Sequence, residues 1–226
     1  MPGHDIIVIG ASAGGIEALI KLISRLPSDL PAAIFIVVHF PSWSKSFMPK
    51  ILNKEAKLYA NHASDREAIE HGRIYIPLPD CHLLVKRGYV RLAEGPKENG
   101  FRPAIDALFR TAANAYRQRV VGIVLSGALD DGTAGLMDIK RLGGVAVVQN
   151  PDEALFASMP QSAIEHVAVD RVLPITEIAA ELVRLAYEPV SVAGEQPISD
   201  LQSSENEMEP DIVELDGAEL RNLAIG

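Results

Sequence analysis

Two periods alternate along this chain. The apolar, β-branched run Asp5–Ile9 stops at the small residues Gly10-Ala-Ser12-Ala-Gly14-Gly15, and an amphipathic stretch with apolar Ile16, Leu19, Ile20 and Ile23 begins at once. That pattern predicts a strand, a tight turn and a helix over Ile16–Leu26. A second apolar run, Ala33–Val38, predicts a buried strand ending at His39, followed by a loop through Trp43 to Lys45 and a short helix near Phe47–Asn53. Between Lys57 and Leu92 the sequence reads as short strands with turns, with a hairpin at Lys86-Arg87-Gly88-Tyr89. Pro103–Tyr116 is predicted helical with Pro103 in its first turn, and Val120–Leu125 is a further buried strand. A helix over Ala134–Leu142, closed by Gly143-Gly144, leads into a strand at Val145–Val148. Met159–Glu165 and Ile175–Tyr187 are the last predicted helices.

Strands that alternate with helices predict an α/β fold. The expected architecture is a doubly wound, mostly parallel sheet with helices on both faces, Rossmann-like in its three layers, carrying a small β-hairpin insertion. Right-handed crossovers then bring the strand ends bearing Ser12, His39 and the Asp130 loop to one edge of the sheet.

After Pro189 the periodicity dissolves into Ser, Glu, Gln and Pro, so the expected organisation is a folded domain over 1–189 and an acidic, disordered tail over 190–226. Charge divides the same way. Of the net −9, residues 194–226 carry nine acids against Arg221 alone, and residues 1–193 are nearly balanced with 21 acids and 20 bases. Neither part has the basic stripe of a nucleic-acid binder. A partly apolar stretch from Asp211 leaves two readings open, a frayed end or a docking segment for a regulator. No apolar run approaches the ~20 residues of a membrane span and no secretory signal opens the chain, so the expected location is cytoplasmic. Cys81 is the single cysteine and reads as a small turn residue rather than a thiol nucleophile, although it adjoins His82. The six histidines show no metal-ligand spacing, and no cofactor is expected.

The candidate chemistry lies at three strand ends. Ser12 follows the first strand at the positive end of a helix dipole, where backbone N–H groups converge. A neutral hydroxyl needs a base, and His39 ends the second strand. The base needs an orienting carboxylate, and Asp131 follows the strand Val120–Leu125. Each is weak evidence singly, because glycine–serine turns also cradle phosphate and Asp-Gly is common in turns. A binding module that cradles a phosphate or nucleotide at Gly10–Gly15 therefore stays open. Against it, a dinucleotide fingerprint places an acid at the end of the second strand, where His39 stands. The Gly10–Gly14 string also matches a nucleophile elbow, but that fold needs a late catalytic histidine, and His166 reads as a helix end.

Longer motifs narrow these alternatives. The strings Ile9-Gly-Ala-Ser-Ala-Gly-Gly15, Val38-His-Phe-Pro41, Gly72-Arg-Ile-Tyr-Ile-Pro77, Pro79-Asp-Cys-His82 and Arg102-Pro-Ala-Ile-Asp106 occur in that order. They are followed by Leu125-Ser-Gly-Ala-Leu-Asp-Asp-Gly-Thr-Ala-Gly135, Leu142-Gly-Gly144, Gln149-Asn150 and Ser158-Met-Pro160. From Ile6 to about Tyr187 the chain resembles the catalytic domain of the chemotaxis protein-glutamate methylesterases. The resemblance implies a serine hydrolase with Ser12, His39 and Asp131 as its triad. Its substrates would be glutamate γ-methyl esters, and certain glutamines, on the cytoplasmic helices of methyl-accepting chemoreceptors. It would oppose a receptor methyltransferase and release methanol. Backbone N–H groups at Ala13 and Ala128 would bind the oxyanion. Arg102 is open between pairing with acidic receptor helices near the site and a structural salt bridge, and Met159 between lining the mouth and the packing more usual for a methionine at a helix start. An ester or amide on another signalling protein remains an alternative. The chain departs from the family pattern where Ala128 replaces a methionine, Leu129 a glycine, and Ala13 a frequent threonine or serine. A positive φ at Leu129 would strain the loop. Asp130 adds a carboxylate beside Asp131, read as a solvated turn residue with like-charge repulsion on its neighbours as the alternative. The phospho-receiver domain that precedes the catalytic domain in the familiar members is not expected in this polypeptide.

Overall fold

A computed structural model describes residues 3–39 and 46–190. Trp43 and the acidic segment from 191 onward lie outside the described residues. In chain order the elements are β1 (Ile6–Ala11), α1 (Gly15–Ile23), β2 (Ala33–Val38), α2 (Met48–Glu55), β3 (Tyr59–His62), β4 (Arg73–Ile76), β5 (His82–Lys86) and β6 (Tyr89–Ala93). The second half comprises α3 (Ile105–Tyr116), β7 (Val120–Val124), α4 (Thr133–Arg141), β8 (Val145–Gln149), α5 (Ser158–His166), β9 (Arg171–Leu173) and α6 (Ile175–Tyr187).

Seven strands form one parallel sheet in the order β3-β4-β2-β1-β7-β8-β9, and β5 and β6 form a separate antiparallel hairpin. The doubly wound architecture and the small hairpin are as expected from the sequence. Every residue of β1, β2 and β7 is buried, because helices cover both faces of a parallel sheet. Along β1 the residues alternate between two cores: Ile7 and Ile9 pack with Leu22 of α1 and Leu182 of α6, whereas Ile6 and Val8 pack with Leu108 and Phe109 of α3. The chain leaves β1 toward α1 on one face and leaves β7 toward α4 on the other. The boundary between β1 and β7 is therefore a topological switch point, where open α/β sheets bind ligands beyond the strand C-termini.

Register sets the site. Ala11 pairs with Val38, and Gly10 with Val124, so Ser12, His39 and Leu125 are the next residues past three neighbouring strands. One local expectation needs correction. Pro103 is not in the first turn of α3; it precedes the N-cap Ala104 and follows a cis Arg102–Pro103 bond. Strands β3 and β4 belong to the main sheet, and β9 went unpredicted because two of its three residues are exposed. Among the described residues no helix is long and apolar enough to cross a membrane.

Candidate active site

Ser12 sits where β1 turns into α1. Its N–H donates to the Ser126 carbonyl (3.0 Å) and its carbonyl accepts from Gly15 N–H (3.0 Å). Gly14 is the helix N-cap at φ 69°, a conformation that strongly favours glycine. Gly127 lies against the serine from the other side: a Cβ there would stand 2.8 Å from Ser12 Cβ and 2.1 Å from Met159 Sδ.

His39 follows β2 and its N–H donates to the Ala11 carbonyl (3.2 Å), which tethers the residue to the end of β1. Its Nδ1 is 3.1 Å from Ser12 Oγ and its Nε2 is 2.7 Å from Asp131 Oδ2. This pairing assigns the proton to Nε2, which donates to the carboxylate, and leaves the Nδ1 lone pair facing the hydroxyl. The Phe101 ring stacks on the imidazole at 3.7 Å between centroids and 4° between planes.

Asp131 is fully buried, and four donors surround it. Oδ2 accepts from His39 and from Ile105 N–H (2.7 Å); Oδ1 accepts from Asn99 Nδ2 (2.9 Å) and Asp106 N–H (3.1 Å). Burial pushes the carboxyl upward, but the hydrogen bonds from His39, the Ile105 N–H and Asn99 outweigh it and hold Asp131 below the ordinary carboxylate value. Asp106, buried beside it, is driven the other way by desolvation and by the Asp131 charge, against the N–H groups of Gly135 and Gly132 and the Asn99 amide that stabilise its anion.

Among the described residues neither the Ala13 nor the Ala128 N–H has an acceptor. The loops bearing them are braced by Ser126, whose Oγ donates to the Ala13 carbonyl (2.9 Å) and accepts from Phe156 N–H (3.0 Å). Gln149 Oε1 accepts from Ser126 N–H (2.8 Å). A serine hydroxyl, an oriented imidazole and N–H groups free to face an oxyanion can together carry out acyl transfer.

Of the two readings left open for Arg102 and for Met159, the structure shows the supporting one. Arg102 commits its guanidinium to Asp80 through two hydrogen bonds (2.9 and 2.7 Å) and to the carbonyls of Glu94 and Gly95 (2.9 and 2.8 Å), tying the chain after β6 to the turn before β5. Met159 is completely buried, so it supports Gly127 from below rather than lining an open mouth. Leu129 adopts φ 67° and is exposed, the strained conformation its replacement of glycine implied; Asp130 is also exposed. His62 and His82 bond to backbone groups, His62 to the carbonyls of Pro77 and Ser46, His82 to the Pro96 carbonyl and the Ala104 N–H. Burial first, then the charges of Glu94 and Asp80, pushes the Cys81 thiol up, away from the thiolate a nucleophile needs. Asn99, Phe101, Asp106, Ser126 and Gln149 carry no role predictable from local sequence pattern.

A family model described as CheB methylesterase matches residues 7–182. The chain belongs to the CheB methylesterase family. It is 40% identical over 183 residues to a putative protein-glutamate methylesterase/protein-glutamine glutaminase of Leptospira interrogans, covering 80% of this chain and 95% of that one. A protein-glutamate methylesterase/protein-glutamine glutaminase of Methanosarcina acetivorans is 34% identical over 190 residues, covering 80% of this chain but 53% of the longer relative. This chain thus spans about half the length of that second protein. The crystal structure of the Thermotoga maritima CheB methylesterase catalytic domain superposes with a TM-score of 0.78 at 32% identity, covering 80% of this chain and 98% of that one. A CheB-type fold thus carries the Ser12–His39–Asp131 chain at its switch point.

Proposed function

We propose that this protein is a serine hydrolase that removes methyl groups from glutamate γ-methyl esters on chemoreceptor cytoplasmic helices. The observation that carries this reading is the continuous hydrogen-bonded chain Ser12 Oγ–His39–Asp131 in a member of the CheB methylesterase family. Ser12 Oγ attacks the ester carbonyl as its proton passes to His39 Nδ1, and the Asp131 carboxylate stabilises the resulting imidazolium through Nε2–H. The Ala13 and Ala128 N–H groups receive the oxyanion, where one such donor is worth about 3 kcal/mol. Collapse of the tetrahedral intermediate expels methoxide, which takes the proton from His39 and leaves as methanol. Water, deprotonated by the same nitrogen, then cleaves the acyl-enzyme to the free glutamate and restores Ser12.

The same steps deamidate a glutamine side chain, with ammonia as the leaving group. The glutaminase activity in the names of the Leptospira and Methanosarcina relatives favours this second substrate. The partner is accordingly a methylated receptor helix, and the opposing activity is that of a receptor methyltransferase.

Methanol release from membranes carrying methyl-labelled chemoreceptors tests the proposal. Wild-type protein is expected to release labelled methanol, and Ser12→Ala to release none above background. Absence of release by folded wild-type protein overturns the receptor-esterase reading.

A further inference from the structure

Between the β5–β6 hairpin and α3 the chain makes a second, much smaller hairpin. Glu98 and Phe101 bond reciprocally, with Phe101 N–H to the Glu98 carbonyl at 2.8 Å and Glu98 N–H to the Phe101 carbonyl at 3.1 Å. The two residues between them both have positive φ, Asn99 at 52° and Gly100 at 81°. That is the signature of a type I′ turn, for which Asn-Gly is the preferred pair. Such a turn has few accessible conformations, so the residues it carries are held in fixed directions. Its base is pinned to the protein body: both carboxylate oxygens of Glu98 accept from Arg110 of α3 (2.9 and 3.0 Å).

This small rigid device delivers two groups to the Ser12–His39–Asp131 chain. From the tip, Asn99 Nδ2 donates one proton to Asp131 Oδ1 (2.9 Å) and the other to Asp106 Oδ2 (2.7 Å). From the base, the Phe101 ring covers one face of the His39 imidazole. Together with the Ile105 and Asp106 N–H groups, the Asn99 donor fixes the rotation of the carboxylate that receives His39 Nε2–H. The Phe101 face limits ring flipping of His39 and favours the imidazolium as it forms. The partners of these two side chains are His39, Asp131 and Asp106, so both act through the base and its carboxylate.

We propose that the Asn99–Gly100 turn is a positioning element for the catalytic chain, with Asn99 orienting Asp131 and Phe101 clamping His39. The proposal rests on the serine-hydrolase reading above. Positioning residues leave the nucleophile in place but lower the fraction of time the chain is aligned, and misplacement of about 1 Å costs up to about 100-fold in rate.

The test uses the full chain and a fluorophosphonate probe, with kinact and KI read separately from the rate of Ser12 labelling. Phe101→Leu and Asn99→Ala are expected to lower kinact about 10-fold or more while KI stays within about twofold. Phe101→Tyr, which keeps an aromatic face, restores the wild-type kinact. Arg110→Ala loosens the turn from outside the site and lowers kinact even if either inner variant fails to fold. In folded Phe101→Leu and Asn99→Ala the downfield proton resonance expected for His39 Nε2–H shifts or broadens relative to wild type, and in Phe101→Tyr it does not. Unchanged kinact in Phe101→Leu and Asn99→Ala overturns the proposal, and so does an equal loss in Phe101→Tyr that follows the urea midpoint. Failure of the underlying reading looks different. Wild-type protein that labels Ser12 but releases no methanol from receptors refutes the substrate and leaves the positioning role standing. Wild-type protein that does not label refutes the serine chemistry, and the His39 proton resonance still reports whether the turn orders the pair.

Discussion

Asp106 and Asp131 each cap the helix that the other introduces. Asp131 lies just before α4 yet accepts the N–H groups of Ile105 and Asp106 at the start of α3. Asp106 lies in the first turn of α3 yet accepts the N–H groups of Gly132 (3.0 Å) and Gly135 (2.6 Å) at the start of α4. The exchange places two buried carboxylates side by side, where the positive ends of two helices and the Asn99 amide offset their charge. It also makes the carboxylate facing His39 part of the helix packing, so its geometry is held by the fold.

Removing Asp106 therefore damages both helices' junction. Asp106→Ala leaves two buried N–H groups without acceptors and is expected to lower stability by about 2 to 4 kcal/mol, read from urea unfolding. A loss below about 0.5 kcal/mol would show that water replaces the carboxylate without cost.

The opposite pKa shifts of the two acids predict opposite effects on the pH dependence of stability. Asp131 is depressed in the folded state, so its contribution is present above the unfolded value of about 3.9 and is lost as pH falls through the lower folded value. Asp106 is raised, so its contribution is present below about 3.9 and is lost as pH rises through the higher folded value. Asp131→Asn should flatten the rise of unfolding free energy with pH at the acid end. Asp106→Asn should make the slope above about pH 4 more positive. Urea titrations across that range at fixed ionic strength measure both slopes, and slopes unchanged from wild type contradict the assignment.

Gly127 is a steric prediction. An alanine there meets Met159 Sδ and Ser12 Cβ at distances no packing tolerates, so Gly127→Ala should displace Ser12 and abolish fluorophosphonate labelling. Met159→Ala in the same chain removes the tighter of the two clashes and should restore part of it. Full labelling of the single variant would refute the close approach.

Leu129 holds φ 67° while 63% exposed, so it gives little packing in return for its strain. Leu129→Gly is expected to raise stability by about 0.5 to 1 kcal/mol, the left-handed penalty less the entropy that glycine adds to the unfolded chain. A destabilised variant would mean that the Leu129 side chain makes contacts that outweigh its backbone.

Arg102 provides a test between support and substrate binding. With its donors spent on Asp80, Glu94 and Gly95, Arg102→Ala should lower the urea midpoint and leave KM for methylated receptor unchanged. A raised KM at unchanged midpoint would restore it to the substrate side.

Ser12, His39 and Asp131 were legible in the sequence because each ends or follows a continuous apolar run, and parallel strands in register align such ends. The groups that steady them were not. Asp106 sits inside an amphipathic helix pattern, where an acid in the first turn reads as an ordinary dipole partner. The roles of Arg102 and Met159 depend on Asp80 and Gly127, partners distant in sequence that no local period reveals. Asn99-Gly100 did carry a signal, since Asn-Gly is a strong hairpin pair, but with only one residue of each flank paired it has no alternating strand pattern to announce it. β9 is short and half solvated, and parallel pairing to β8 rather than its own composition makes it a strand.

The most direct test of the account is the intact mass of the protein after exposure to a fluorophosphonate. One covalent adduct is expected, located on Ser12 by peptide mapping, absent in Ser12→Ala and His39→Ala, and formed about 10,000-fold more slowly in Asp131→Asn. An adduct on another residue, or labelling of Ser12 at the wild-type rate in His39→Ala, would contradict it.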